Sequence, residues 1–313
     1  PTPFLGYAIL LFFLISGFCI HYPNTLPNSR PIWKTYFLRR LWRVCPPYLA
    51  TLLVTMAISY YCHIQWEDTT WDPGRIIRVA TFSQNYPPSV GQFLSNPSLW
   101  TIPLEIEFYL LYPLAFCFFS QLRSWTLCAL AFGLCGWSVF LNYQGTSWPS
   151  FTSLFFWPAW LLGAWAAQLH RDGKLSAIPL KLLLPAGGIT LTLALASRLH
   201  HWDSWIQYFL WIDFYLFLFI FSLANQQILN RICFSNALRF LGWLGKISFS
   251  LYLLHFPLFK LFGYLHKEQF GEKPANFLVS VAYLIPVCLL ASVFYHWIES
   301  PIHQWSKKRF AKE

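Results

Sequence analysis

Four ionisable side chains stand inside otherwise apolar runs: Glu105 and Glu107 in SLWTIPLEIEFYLLYPL, Asp213 in the run 205–224, and Lys260 in the run 247–265. An ionisable group in hydrocarbon is costly unless it faces a cavity or a partner, so such residues mark sites of proton or group transfer, or polar contacts between helices. Glu105 and Glu107 project about 200° apart on a helix and cannot share one proton as a dyad. One faces the bundle interior, the other the interface. Arg39, Arg40 and Arg43 in YFLRRLWRVCPPY form a second constellation. Spacings of three and four put Arg39 or Arg40 on the face of Arg43. Just ahead of Pro46 and Pro47, where a span is expected to begin, guanidinium groups and a helix N-terminus together suit a phosphate. A positive-inside anchor explains the same three residues equally well. His255, in GKISFSLYLLHFPLF, lies nine residues beyond Lys246, roughly 13 Å into a helix, and reads either as a hydrogen-bonded core residue or as a base. Ser16 and Gly17 interrupt LFFLISGFCIHYP, where small residues commonly let two helices pack closely.

The elements that must position these groups are membrane spans. Only 11% of the 313 residues are charged, 56% are hydrophobic and 17 are Trp, whereas a soluble domain averages roughly 25% charged. A span needs about 20 largely apolar residues. Candidates fall near 4–20, 47–64, 99–120, 125–142, 153–169, 182–199, 205–224, 247–265 and 278–297, predicting an all-α polytopic membrane bundle of about nine transmembrane helices. Alternate loops carry sixteen Lys and Arg against five, which places the 21–46 and 225–246 loops in the cytoplasm and the 65–98 loop outside, with Lys260 left within a span. The net charge of +10 therefore describes one membrane face near anionic lipid and does not argue for nucleic acid. The eight cysteines are scattered without a CxxC pair, so neither a disulfide framework nor a metal site is expected. No charged n-region or cleavage site precedes the first apolar run, which is unlike a signal peptide.

Five blocks in order, LFFLISGFCI, FLRRLWRVCPPY, SLWTIPLEIEFYLLYPL, LGKISFSLYLLHFPLF and YHWIESP, resemble those of the bacterial membrane acyltransferase 3 family of sugar and cell-wall O-acyltransferases. The resemblance runs from about residue 6 to 301. It implies transfer of an acyl group, commonly acetyl, from cytoplasmic acyl-CoA to a hydroxyl of a glycan or lipid-linked sugar, in the bacterial inner membrane. Acyl-CoA is then a co-substrate, and no permanently bound cofactor is expected. On this resemblance Arg39, Arg40 and Arg43 hold the CoA phosphates, and Ser16 and Gly17 admit the pantetheine arm or a neighbouring helix. Glu105 and His255 are the catalytic candidates, and Trp100 and Tyr109 lie on the acceptor side. Glu107 falls where the family often has glutamine.

Family members begin with a further span whose histidine is the favoured general base. The resemblance therefore implies ten helices with the first missing, one transmembrane domain over 1–313 that is incomplete at its N-terminus, and a basic cytoplasmic tail at 299–313. His21 is read as lying in a cytoplasmic loop and does not match that histidine. Two other classes compete: a secondary transporter using Glu105, Asp213 and Lys260, and a catalytically inactive member of the same family. No repeated halves, which transporters tend to show, are visible.

Overall fold

The computed structural model describes residues 7–26, 31–87, 96–121, 124–175, 178–225 and 235–310. Arg30, Arg123, Arg231 and Lys312, four of the basic loop residues, lie outside the described residues. Every regular element among the described residues is helical. Among the described residues, seven stretches are long and apolar enough to cross a membrane: Ala8–Thr25, Trp33–Trp66, Pro97–Phe119, Thr126–Tyr143, Lys181–Leu199, Ser204–Ala224 and Phe277–Arg309. The chain is a polytopic helical membrane protein. The two other expected spans are helices as well, Ser153–Arg171 and Ser235–Phe270, but tryptophan, histidine and lysine dilute their apolarity.

The helices gather into two compact units, one made of 1–31 and 110–234, the other of 32–109 and 235–313. In the first, Ser153–Arg171 is the central element, buried from Phe156 through Ala164, with Ala8–His21 and Ser124–Tyr143 packed against it. Ala8–His21 lies against it through Leu10, Phe13, Leu14, Gly17 and Ile20, a stripe at spacings of three and four. A Cβ on Gly17 would come within 1.9 Å of the Trp160 carbonyl oxygen, and one on Gly163 within 1.9 Å of the Leu14 carbonyl oxygen. Each glycine therefore receives the other helix's backbone, the close approach that small residues permit in lipid. Gly17→Ala and Gly163→Ala should each destabilise the unit by about 1–3 kcal/mol, read as a lower temperature of detergent-induced aggregation; Gly188→Ala, where nothing lies within 4 Å, should not.

His21 corrects one expectation. It is the last residue of Ala8–His21 rather than part of a loop. It is buried, with Nδ1 3.2 Å from the Tyr112 hydroxyl and its ring 4.6 Å from that of Phe119. The helix runs this far because its breaker, Pro23, comes two residues later, opening a 3-10 turn over Tyr22–Thr25.

In the second unit, Ser235–Phe270 packs on Trp33–Trp66 and on Leu284–Phe294, with a core of Leu254, Leu258, Val287 and Phe294. Ser235–Phe270 has 36 residues, about 54 Å at 1.5 Å per residue, and cannot lie wholly within hydrocarbon about 30 Å thick. Lys260 is accordingly not a mid-membrane charge: it is bonded to Asp68 and Thr70, in the loop after Trp33–Trp66. Glu67 ends that helix in the left-handed region, and Asp68 turns back so that its amide meets the Cys62 carbonyl. Burial works against the charged form of Asp68, but the Lys260 ammonium and the Thr70 amide outweigh it and hold the carboxyl below the usual range.

The last run breaks into Phe277–Ala282, Leu284–Phe294, a π-helical turn at Tyr295–Glu299, and Ser300–Arg309. Residues 300–309, read above as a basic tail, are thus helical. Pro301 has no amide hydrogen to give the Trp297 carbonyl. The chain widens instead, and the Ser300 amide bonds back to Tyr295, five residues earlier.

Candidate active site

The arginine cluster does not stand at a helix start. Trp33–Trp66 begins ten residues before Arg43 and carries Pro46 and Pro47 in its interior, so the helix N-terminus expected at this point is absent. The prolines instead deprive the carbonyls of Trp42 and Arg43 of their intrahelical donors. The three arginines have separate surroundings. Arg39 donates from Nη2 to the Phe310 carbonyl at 2.6 Å, closing the C-terminus of Ser300–Arg309, and the Trp42 and Trp305 rings, 4.7 Å apart, fix the same pair of helices. Arg40 lies over the rings of Tyr36 and Tyr109, at 5.7 and 5.6 Å. Arg43 is exposed. Neither Arg40 nor Arg43 makes an ion pair among the described residues, and the fields of both reach His303.

Tyr109 joins this cluster to Glu105. Its hydroxyl donates to Glu105 Oε1 at 2.6 Å, one turn back on the same helix, while its backbone carbonyl accepts from the Tyr36 hydroxyl at 3.3 Å. Tyr109 therefore stands beside the arginines that the family resemblance gives to the donor, rather than apart from them. Glu105 is buried, 5% exposed, and Glu107 is half-buried, as the angle between them requires. Glu107 accepts from the Tyr86 hydroxyl at 2.9 Å. Burial first, and then the Glu107 carboxylate, push that phenol up, so Tyr86 remains a donor.

Beyond Glu105 lies a buried polar track that the sequence reading passed over. Tyr48, Thr51, Thr55 and Ser59, spaced by three and four, form one fully buried stripe of Trp33–Trp66. The Asn96 amide nitrogen donates to Thr55 Oγ1 at 3.2 Å and to the Leu253 carbonyl at 2.8 Å. Gln84 donates to the Tyr48 hydroxyl at 3.2 Å and to the Leu99 carbonyl at 3.0 Å. Asn85 holds the Trp100 carbonyl at 2.7 Å, and Trp100 itself is half-buried. Thr51 Oγ1 is buried with no hydrogen-bond partner among the described residues. The signal for this track was the run of hydroxyls at helical spacing within the span 47–64.

The hydroxyls of Thr101 and Tyr252, 2.7 Å apart, tie the helix of Glu105 to that of His255. Glu105 lies one turn beyond this contact on its helix and His255 one turn beyond it on the other, with no hydrogen bond between them. His255 Nδ1 is 2.8 Å from the Tyr252 carbonyl and 3.2 Å from that of Leu251. Carbonyls only accept, so Nδ1 carries the proton and the lone pair belongs to Nε2, the tautomer a base requires.

The structure also brings in Ser250 and Glu299, which the sequence reading left without a role. Ser250 Oγ donates to Glu299 Oε2. Glu299 closes the π-helical turn set by Pro301, and the Arg43 charge acts on it. The Glu-x-Pro spacing thus acquires a physical meaning: the proline widens the turn that presents the carboxylate. Ser16 and Gly17 belong to the other unit, where Gly17 meets the Trp160 backbone and Ser16 is half-buried. The three charges of the transporter reading have separate settings: Lys260 on Asp68, Glu105 with Tyr109, and Asp213 exposed on Ser204–Ala224. Among the described residues no group of three or more His, Cys, Asp or Glu could hold a metal ion.

Comparison with known proteins gives a family match over residues 3–296, to the acyltransferase domain of the acyltransferase 3 type. The chain is also similar to the O-acetyltransferase OatA of Staphylococcus aureus, in strains NCTC 8325, COL and MRSA252 among others. The identity is 24%, covering 98% of this chain and 54% of that protein. The chain thus spans about half the length of the curated relatives it matches. No solved structure gives a significant match.

Proposed function

Because the chain belongs to the acyltransferase 3 family, we propose that it is an O-acyltransferase of the bacterial inner membrane, moving an acyl group, with acetyl the first choice, from cytoplasmic acyl-CoA to a hydroxyl of a glycan or lipid-linked sugar. The observation that carries this reading is the polar cluster within one unit: Arg40 over Tyr109, whose hydroxyl bonds Glu105, with the Thr101–Tyr252 hydroxyl pair one helical turn from Glu105. Buried polar groups in a hydrophobic bundle either tie helices together or line the path of a polar substrate, and membership of an acyltransferase family favours the second.

The CoA phosphates fit Arg40 and Arg43. Both lack ion pairs among the described residues, and a guanidinium grips phosphate through two parallel hydrogen bonds. Arg39 is already engaged by Phe310. At the reacting centre, in place of the histidine that the family resemblance sets on a further span, His255 Nε2 accepts the proton of the acceptor hydroxyl as its oxygen bonds to the thioester carbonyl carbon. The carbon–sulfur bond then breaks, and the imidazolium returns the proton to the departing CoA thiolate, giving the ester and free CoA. Glu105, held by Tyr109, orients the acceptor hydroxyl toward the carbonyl, a contribution of position. Neither group needs a metal ion for these steps.

The test is transfer of label from acetyl-CoA by purified protein, with variants of the cluster. Arg43→Lys keeps charge and loses the planar fork, so the KM for acyl-CoA should rise about tenfold with kcat little changed. Arg39→Ala should instead lower thermal stability and leave KM within about twofold. If Arg40→Ala and Arg43→Lys both bind acyl-CoA as the parent does, the cluster is a membrane anchor.

A further inference from the structure

The observation is a carboxylate with no counterpart. Asp213 is the tenth residue of the 21-residue helix Ser204–Ala224, which puts it about 14 Å from one end and 17 Å from the other at 1.5 Å per residue. Every residue from Phe214 to Phe221 is apolar or Tyr, so Asp213 is the one charge of the candidate span. The helix packs on Leu180–Leu199, Ala8–His21 and Ser153–Arg171. Its buried residues are Gln207, Tyr208, Trp211, Ile212 and Tyr215. At about 100° per residue Asp213 lies opposite the centre of that face. It is exposed, and among the described residues it makes no hydrogen bond or ion pair.

We propose that the Asp213 face of Ser204–Ala224 is a docking surface for a further transmembrane helix that carries a lysine or arginine near its middle. A carboxylate at mid-depth with only lipid beside it is strongly disfavoured, and a basic residue brought to the same depth relieves both charges at once. Of the apolar residues one turn away, Phe209 stacks on Phe132 at 5.9 Å and Phe217 lies against Gly187 of Leu180–Leu199, while Leu210 and Leu216 are half-buried, so the surface is a narrow strip centred on Asp213 between the chain's own helices. A second copy of the chain does not supply the complement. Among the described residues no lysine or arginine stands in the middle third of any candidate span, and Lys260 is held by Asp68. The occupant is therefore a helix of different sequence, with its cation about halfway along.

The experiment uses the 313-residue protein in phosphatidylcholine vesicles with synthetic 21-residue leucine-alanine transmembrane peptides whose central residue is Arg, Gln or Leu. Energy transfer between labelled protein and labelled peptide reports association. The Arg peptide should associate about tenfold more strongly than the Gln or Leu peptide, and Asp213→Asn should remove that preference while Asp213→Glu keeps it. Equal association of the three peptides overturns the proposal, as does an Arg preference that survives Asp213→Asn. Self-association of the protein that depends on Asp213, without preference for the Arg peptide, overturns it in favour of a second copy. Asp213→Leu separates these results from misfolding: it should insert and elute as the parent does, yet show no Arg preference.

Discussion

Glu105→Gln is expected to lower acyl transfer by about a hundredfold or more with acyl-CoA affinity retained, while Glu107→Gln stays within about threefold of the parent. The two glutamates share one helix and similar depth, so a general defect of insertion would affect them alike. What separates them is environment. Glu105 is buried and receives the Tyr109 hydroxyl, whose ring in turn lies under Arg40; Glu107 answers to Tyr86 in the 81–87 loop. Glutamine keeps the shape and one acceptor oxygen of Glu105 but gives up the charge and presents an amide where the acceptor hydroxyl needs an oxygen. Tyr109→Phe should reproduce part of the loss, since it removes the donor that fixes the carboxylate and nothing else. Rates of transfer from labelled acetyl-CoA, compared at equal amounts of folded protein, decide the matter. Equal losses in the two glutamine variants would count against a specific role for Glu105.

Much of the architecture was legible because the bilayer imposes a simple rule. A stretch of about 20 apolar residues can satisfy its backbone only as a helix, and among the described residues eight of the nine stretches lie in one helix each, the last being broken into shorter helical pieces. Boundaries were less legible. Trp33–Trp66 starts fourteen residues before the span expected at 47–64 because its first turns, with Lys34 and three arginines, are too polar for a hydropathy reading to include, yet nothing in them breaks a helix. Pro46 and Pro47 looked like a helix start and are interior, since flanking turns and neighbouring helices hold the geometry that two missing amides leave weak. Lys260 looked intramembrane for the opposite reason: its surroundings are apolar, and only the fold reveals that Asp68 turns back to meet it.

The site was legible in its residues and not in its connections. Glu105, His255 and the arginines stand out as polar groups in apolar sequence, but the sequence treats Arg39, Arg40 and Arg43 as one cluster, whereas the structure gives Arg39 to a helix terminus and leaves Arg40 and Arg43 without an ion pair among the described residues. The stripe Tyr48, Thr51, Thr55, Ser59 was missed because hydroxyls barely lower hydropathy and are ordinary in spans. Its meaning comes from Asn96 and Gln84, more than twenty residues away in sequence. Ser250 and Glu299 are still further apart, and no spacing rule joins them.

Replacement of His255 is expected to give the largest loss of all. With Nδ1 bonded to the carbonyls of Leu251 and Tyr252, the ring is fixed in the tautomer that leaves Nε2 able to accept a proton. A positioned base of this kind is typically worth 10²–10⁴-fold. His255→Gln should therefore cost about that much in kcat, leave the KM for acyl-CoA nearly unchanged, and flatten the acidic limb of the rate against pH, because the group whose protonation silences the enzyme at low pH is gone. Stability should fall little, since the two hydrogen bonds lost are made to carbonyls of the same helix that already serve as its own acceptors. His255→Asn tests the alternative that the ring is a packing residue: it retains a polar group near the same carbonyls while moving any acceptor away from the Nε2 position. If the ring serves only packing, both variants lose stability and activity in proportion, and the acidic limb persists. If it serves as the base, activity collapses in folded protein and the limb disappears.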